Sequence, residues 1–319
     1  MDLKPHIFIG SSREGIHVAK MVKIELSDIA DCTIWEDAEF EFGKSAYESL
    51  SKMINLYDYA ILIATPDDTV VSRTIKFDNP RDNVIFEMGL YSGRLGRSRA
   101  ILLREDGTKY LTDLSGITMP EYPIQSSPDF STGLVARCDE IKKHIKKTES
   151  QFNLSLLPST AIAHGYFHNF VEKAVTQLLK DGFIELSDKS KVEFTNLIFT
   201  VIIPSDLSAD MFEQVNAKRH FNKWVGVKVN AGGFRPFDFH VDIDLSSSGT
   251  LHLYDVPLTL NSLYQTIQMY LEKAHLGKDE FEERLESREI RMFKKVIDYL
   301  VSRNPITRNI VRTEIELLN

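Results

Sequence analysis

The sequence has few cysteines, no long apolar run and no excess of positive charge. Its 319 residues include two cysteines, Cys32 and Cys138, which excludes a disulfide framework and a cysteine-rich zinc site and fits a reducing compartment. The longest uncharged apolar stretch, 195–204, is half of the ~20 residues that a membrane-spanning helix needs. Acidic residues outnumber basic ones by 46 to 38, and the net charge of −8 argues against binding to long nucleic acids.

The N-terminal segment Met-Asp-Leu-Lys-Pro lacks the basic and apolar regions of a signal peptide. We therefore expect a cytoplasmic protein that does not associate with a membrane. The net charge is still compatible with a small anionic ligand, because a few well-placed arginines are enough to hold one.

The pattern of apolar residues changes near residue 150. Before that point, short apolar runs such as His6–Gly10 and Tyr59–Ala64 alternate with amphipathic segments such as Asn83–Leu95, which predicts an α/β domain with a doubly wound parallel sheet. The polar segment 148–160 contains Pro158 and is the predicted linker. Beyond it, the pattern predicts an α+β domain with helices at about 161–180, 262–274 and 279–302. We therefore expect two domains, 1–150 and 151–319.

The first candidate site begins at HIFIGSSR, residues 6–13, a predicted strand that runs into a turn before a helix. Such a turn offers backbone N–H groups and hydroxyls to a phosphate or ribose, although a serine there can simply cap the helix. Neither GxGxxG nor GxxxxGK is present, so the dehydrogenase fingerprint and the P-loop are missing. The candidate residues are Gly10, Ser11 and Ser12, with Phe8 and Trp35 as aromatic stacking surfaces. Trp35 fits a core position equally well.

The second segment, DNPRDNVIFEMGLYSGRLGR at 78–97, predicts a helix that Asp82 or Asn83 can cap. Glu87 lies in its first two turns, between Phe86 and Met88. A carboxylate among apolar residues at the C-terminal edge of a parallel sheet lies where α/β folds bind ligands. The spacing alone fits equally well a solvated glutamate that the helix dipole stabilises.

These segments, together with TIWEDAEF at 33–40 and YAILIATPDD at 59–68, resemble the TIR-like nucleotide-binding family of bacterial antiphage systems over residues 5–125. The resemblance implies cleavage of the nicotinamide–ribose bond of NAD⁺, with Glu87 as the catalytic residue, NAD⁺ as the substrate, and neither a cofactor nor a metal. One carboxylate is chemically sufficient, because nicotinamide leaves without protonation and the carboxylate stabilises the oxocarbenium ion. The candidate NAD⁺-binding residues are Phe8, Gly10, Ser11, Ser12, Trp35, Asp82 and Asn83.

Three further motifs follow: AIAHGYFHNFV at 161–171, AGGFRPFDF at 231–239 and YDVPLTL at 254–260. Tyr166 and Phe170 share one helical face, as residues of a buried aromatic stripe also would. His164 and His168 have a spacing that suits a metal, but the sequence offers no evident third ligand. Asp255 precedes a predicted helix, which it can cap.

These motifs resemble the bacterial STING domain over residues 155–319. The resemblance implies a V-shaped homodimer that binds a cyclic dinucleotide at its two-fold axis. Phe170 would stack on a base with Tyr166 behind it, Arg235 would come from a lid, and Asp255 and Thr259 would read the base edge. An ionised aspartate only accepts hydrogen bonds and suits N1–H and N2–H₂ of guanine, while arginine suits O6 and N7. We therefore predict a preference for cyclic di-GMP over cyclic di-AMP.

Together the two resemblances imply an antiphage (CBASS) effector in which a TIR-like domain is fused to a STING domain. Ligand binding would drive dimers into filaments, activate NAD⁺ cleavage and deplete the NAD⁺ of an infected cell. Two alternatives remain open. The first half could be a nucleotide-binding scaffold without catalysis in a cyclic-dinucleotide sensor. It could also be an enzyme similar to nucleoside 2-deoxyribosyltransferases, which have a similar fold and a lone glutamate.

Overall fold

The computed structural model describes residues 4–37, 50–51, 53–72, 75–109, 119–150, 157–186, 189–230, 237–270, 278 and 280–318. The chain divides into two compact units, with the boundary between residues 155 and 156. Each unit has its own sheet and its own buried core.

The N-terminal unit is an α/β fold around a parallel sheet. The sheet has the strand order β2-β1-β3-β6-β7, and all four pairings are parallel. Strand β3 is buried along its whole length, as expected for a strand covered on both faces, and the predicted doubly wound parallel sheet is confirmed. The elements are β1 (His6–Ser11), α1 (Ile16–Leu26), β2 (Asp31–Ile34), β3 (Tyr59–Ala64), β4 (Asp68–Ser72), β5 (Ile75–Asn79), α2 (Asp82–Leu95), β6 (Ala100–Glu105), β7 (Glu121–Tyr122) and α3 (Phe130–Ser150).

Two features of this unit differ from the sequence-based expectation. The sequence predicts a loop after β3, but β4 and β5 form an antiparallel hairpin. The sequence also predicts a basic helix over 138–147 that closes this domain, but α3 extends over Phe130–Ser150. A further predicted helix, 45–55, lies mostly outside the described residues.

The C-terminal unit is an α+β fold around a mixed sheet with the strand order β11-β12-β13-β10-β14. Strand β10 pairs in parallel with β13 and β14, while β11, β12 and β13 are antiparallel neighbours. The elements are α4 (Pro158–Tyr166), a π-helical turn (Phe167–Val171), α5 (Glu172–Asp181), β8 (Phe183–Glu185), β9 (Lys191–Glu193), β10 (Asn196–Pro204), α6 (Met211–Phe221), β11 (Val225–Val229), β12 (Phe237–Val241), β13 (Thr250–Asp255), α7 (Leu260–Tyr270), α8 (Glu280–Arg303) and β14 (Val311–Glu316).

The pattern did not predict helix α6, because its apolar residues do not lie on one face. Met211 and Val215 are buried, whereas Phe212 and Phe221 are exposed. For residues 309–318 the sequence predicts a short strand or an arm, and this segment pairs as strand β14 with β10. Within the described ranges, none of the helices combines the length and the apolar character that a bilayer crossing requires.

Candidate functional sites

The carboxyl group of Glu87 lies over the C-terminal end of β1. Glu87 is in the second turn of α2, and its Oε2 is 2.7 Å from the position that a Cβ atom at residue 10 would occupy. Leu62 Cδ1 is 2.5 Å from the same position. A side chain at residue 10 would force the ends of the Leu62 and Glu87 side chains to move. The structure therefore brings Gly10 and Glu87 together at the C-terminal edge of the sheet.

Two buried apolar side chains lie beneath the carboxyl group of Glu87. Phe8 and Leu62 lie on the strands beneath it, and both are buried. Burial raises the pKa of Glu87 to about 7, because the charged carboxylate loses solvation. A carboxyl group that titrates near neutral pH at a sheet edge is typical of a functional site.

The two serines of the turn after β1 are held by hydrogen bonds within the protein. Ser12 Oγ accepts a hydrogen bond from the backbone N–H of Gly15 at 3.1 Å and lies 3.1 Å from the hydroxyl of Thr65. Ser11 Oγ accepts a hydrogen bond from the indole N–H of Trp35 at 3.0 Å. Trp35 is half-buried and packs against the core of this unit. The expectation that a serine of this turn caps α1 is wrong, because Gly15 is the N-cap residue and no side chain caps the helix.

The structure corrects two expectations for this site. Phe8 is 1 % exposed, and its ring stacks on Tyr91 of α2 with centroids 4.9 Å apart. The prediction that Phe8 is a stacking surface for a ligand is therefore wrong, because α2 covers this face of β1. Asp82 and Asn83 are exposed in the first turn of α2, but Arg81 is the N-cap residue and no side chain caps the helix. The predicted capping is therefore wrong, while a contact of these two residues with NAD⁺ stays a prediction.

We expect Gly10→Ala to displace the Glu87 carboxyl group and to lower the free energy of unfolding by roughly 1–3 kcal/mol, the usual cost of overpacking. The matched control is Gly93→Ala in α2, because a Cβ atom at residue 93 meets nothing within 4 Å. That variant should be neutral or slightly stabilising, since alanine favours a helix over glycine. Urea unfolding of both variants tests the prediction, and equal midpoints would contradict the close approach at Gly10.

In the C-terminal unit, Tyr166 and Asp255 form a buried hydrogen bond. Tyr166 ends α4 and donates its hydroxyl hydrogen to Asp255 Oδ2, with an O···O distance of 2.5 Å. Both residues are buried. Burial raises the pKa of Asp255 to about 7, and the hydrogen bond from Tyr166 opposes this rise. Asp255 does not cap the following helix, because α7 begins at Leu260 and the carboxylate is bound to Tyr166.

Phe170 lies on the π-helical turn between α4 and α5, a distortion that is frequent at functional sites. Its half-buried ring is 5.3 Å from the ring of Tyr166 and 4.7 Å from that of Phe239. Tyr166 also contacts Phe293 of α8, at 5.9 Å. Tyr166 thus belongs to an aromatic cluster in the core, and Phe170 lies at the edge of that cluster with part of its ring accessible.

Asp255 lines a cavity of about 680 Å³ between α6 and the neighbouring ends of β11, β12 and β13. This volume is ordinary for a small-molecule site. The sequence-based expectations missed Arg219, which also lines the cavity and whose guanidinium packs against Gly226 of β11. No local motif marks this arginine. Among the described residues, the other charged or titratable side chains of the lining are those of Glu185, Lys228, Asp238 and His240.

For two of the predicted ligand residues the structure shows no contact that bears on ligand binding. Thr259 is exposed in the turn before α7, and Arg235 lies outside the described residues.

The rings of His164 and His168 are 4.4 Å apart, and His168 Nδ1 lies 2.9 Å from Glu172 Oε2. In the part of the chain that the structure describes, no three histidine, cysteine or acidic side chains come together to hold a metal.

Two family models match this chain. The prokaryotic STING domain matches residues 158–298, and the TIR domain of CAP12/Pycsar effector proteins matches residues 6–123. The two units thus define a TIR–STING effector, and both resemblances inferred from the sequence are confirmed.

Similar proteins extend over the whole chain. A CD-NTase-associated protein 12 from Flavobacterium daejeonense is 38% identical over 312 residues, which cover 97% of this chain and 98% of that protein. The chain belongs to the CD-NTase-associated protein 12 family. The Pycsar effector protein PaPycTIR of Pseudomonas aeruginosa is 37% identical over 146 residues, 44% of this chain and 47% of that protein. A solved bacterial STING in complex with c-di-GMP aligns with 52% of this chain and 99% of its own, with 30% identity and a TM-score of 0.46.

Proposed function

We propose that a cyclic dinucleotide, preferentially cyclic di-GMP, binds to a dimer of the C-terminal unit and activates the N-terminal unit to cleave NAD⁺ into nicotinamide and an ADP-ribosyl product. The observation that carries the proposal is the half-buried carboxyl group of Glu87 over Gly10, at the sheet edge where α/β folds bind ligands. This position favours a catalytic glutamate over a solvated one.

The proposed reaction breaks the bond between nicotinamide N1 and ribose C1′. The electron pair leaves with nicotinamide, and the ribose becomes an oxocarbenium ion to which water adds, with release of one proton to the solvent. An ionised Glu87 stabilises this cation across a low-dielectric site, as carboxylates do in glycoside hydrolysis. Because the pKa of Glu87 is about 7, the ionised fraction rises through neutral pH. We therefore expect the rate of cleavage to rise between pH 6 and pH 8.

In the C-terminal unit, the proposed ligand contacts are Phe170 and Asp255, with Tyr166 behind them and with Arg235 and Thr259 as further candidates. The accessible part of the Phe170 ring can stack on a base, and the Asp255 carboxylate can accept hydrogen bonds from a guanine edge. Dimers that carry the ligand would assemble into filaments and bring TIR domains together. Activity should therefore rise steeply with protein concentration as well as with ligand concentration.

The test is to incubate the full chain with NAD⁺ and with each cyclic dinucleotide in turn, and to quantify nicotinamide. Cyclic di-GMP should give the fastest release, and release should be low without ligand. Binding of a cyclic dinucleotide without release of nicotinamide would support the alternative of a sensor with a non-catalytic nucleotide-binding scaffold. Release that no cyclic dinucleotide changes would overturn the activation step.

A further inference from the structure

The carboxylate of Asp255 separates the aromatic core from the cavity. Asp255 lines the cavity, whereas neither Tyr166 nor Phe170 is among the described residues that line it. Tyr166 contacts Phe293 and Phe170 in the core and reaches Asp255 Oδ2 from there. One oxygen of Asp255 is therefore held by the protein, while the carboxylate as a whole borders the space that a ligand can occupy.

We propose that Tyr166 is a positioning residue that sets base specificity through Asp255. The Tyr166 hydroxyl donates its hydrogen to Asp255 Oδ2, and Asp255 then acts towards the cavity only as a hydrogen-bond acceptor. This inference rests on the proposed binding of a cyclic dinucleotide. It concerns how guanine is distinguished from adenine, and it assigns to the Tyr166 hydroxyl a role separate from the packing of its ring behind Phe170.

The protonation state of Asp255 decides which base edge it can pair with. An ionised carboxylate accepts N1–H and N2–H₂ of guanine and repels the N1 lone pair of adenine. A protonated carboxyl group has one O–H, which can donate to N1 of adenine while the other oxygen accepts from its N6–H₂. A hydrogen bond from Tyr166 to Oδ2 favours the ionised form. Tyr166 therefore favours guanine and disfavours adenine.

Within the described residues, two influences act on the pKa of Asp255: burial, which raises it, and the Tyr166 hydroxyl, which lowers it. Of the other cavity residues, Lys228 lies 4.0 Å from Asp238. Burial lowers the pKa of His240, and Arg219 lowers it further. The neutral form of His240 is therefore favoured. Glu185 and Arg219 are the remaining charged residues of the lining in the part of the chain that the structure describes.

The test is calorimetric titration of the full chain with cyclic di-GMP and with cyclic di-AMP, from pH 6 to pH 9, before and after Tyr166→Phe. At pH 7 the variant should lose about tenfold or more in its preference for cyclic di-GMP, because a hydrogen bond to a charged group is lost. Its affinity for cyclic di-GMP should recover towards pH 9, where Asp255 ionises without help. In an Asp255→Asn background the same substitution should leave the preference unchanged.

The matched control is Tyr59→Phe, which removes another tyrosine hydroxyl that donates to a carboxylate, Glu149, at 2.8 Å in the N-terminal unit. It should leave the ligand preference unchanged. If Tyr166→Phe weakens both ligands equally at every pH, the hydroxyl serves packing alone and the inference is overturned. If the unaltered chain binds neither ligand, the proposed function fails instead, and the two failures are distinct.

Discussion

Glu87→Gln should reduce ligand-activated nicotinamide release by roughly 10²-fold or more, while the chain still folds and binds its cyclic dinucleotide. Glutamine has nearly the same shape, but its neutral amide cannot offset the positive charge of the ribosyl cation, and one electrostatic contact to a transition state is worth about this factor. The measurement is nicotinamide released under saturating ligand. The matched control is Glu140→Gln on α3, an exposed residue that pairs with Arg137, which should keep full activity.

The same substitution should raise stability at alkaline pH. Burial raises the carboxyl pKa from its ordinary value of 4.5 to about 7, so the folded state binds the proton more tightly than an unfolded chain does. The stability of the parent chain therefore falls as pH rises from 4.5 to 7, by roughly 3 kcal/mol for this group. Glutamine does not ionise, so Glu87→Gln should be more stable than the parent at pH 8 and equally stable at pH 4. Denaturant titrations at the two pH values measure the difference.

Nicotinamide release that survives Glu87→Gln would contradict the catalytic assignment. A loss of release together with a lower unfolding midpoint at pH 8 would indicate that the variant is damaged. The expected pair of results, lower activity and higher stability, separates a functional carboxylate from a structural one, because active sites commonly trade stability for function.

Asp255→Asn should weaken the binding of cyclic di-GMP by roughly 2–6 kcal/mol, about 30-fold to more than 10⁴-fold. Each lost base contact is worth about 1–3 kcal/mol, and the two-fold axis of a dimer duplicates it. Asparagine keeps an oxygen that can accept the hydroxyl hydrogen of Tyr166, so the packing of the aromatic core should be unchanged. Calorimetric titration measures the loss of affinity, and the unfolding midpoint should not fall.

The matched control for Asp255 is Asp298→Asn on α8, a partly exposed aspartate that pairs with Lys294. It should leave the affinity for cyclic di-GMP unchanged. If Asp255→Asn lowers the affinity for cyclic di-GMP by less than tenfold, the proposal that this carboxylate recognises guanine is refuted. A loss of similar size for both cyclic di-GMP and cyclic di-AMP would place Asp255 in the binding site without a role in base choice.

Local pattern alone was sufficient for much of the fold. Strand β3 was predicted at its observed bounds, because an uninterrupted apolar run has few alternatives when helices cover both faces of a sheet. The sequence pattern did not predict α6, which combines buried Met211 and Val215 with exposed Phe212 and Phe221. A helix whose apolar residues are not on one face gives no periodic signal.

For the candidate sites, the sequence by itself determined which residue types are available and where the motifs lie, including Glu87 after its apolar neighbours and Asp255 before Pro257. Only the tertiary structure decided what those residues contact. It placed Phe8 under α2 and Glu87 over Gly10, and it joined Asp255 to Tyr166 across 89 residues of chain. The physical reason is that burial and hydrogen bonding depend on neighbours distant in the chain, and these neighbours set the pKa values on which the proposed chemistry rests.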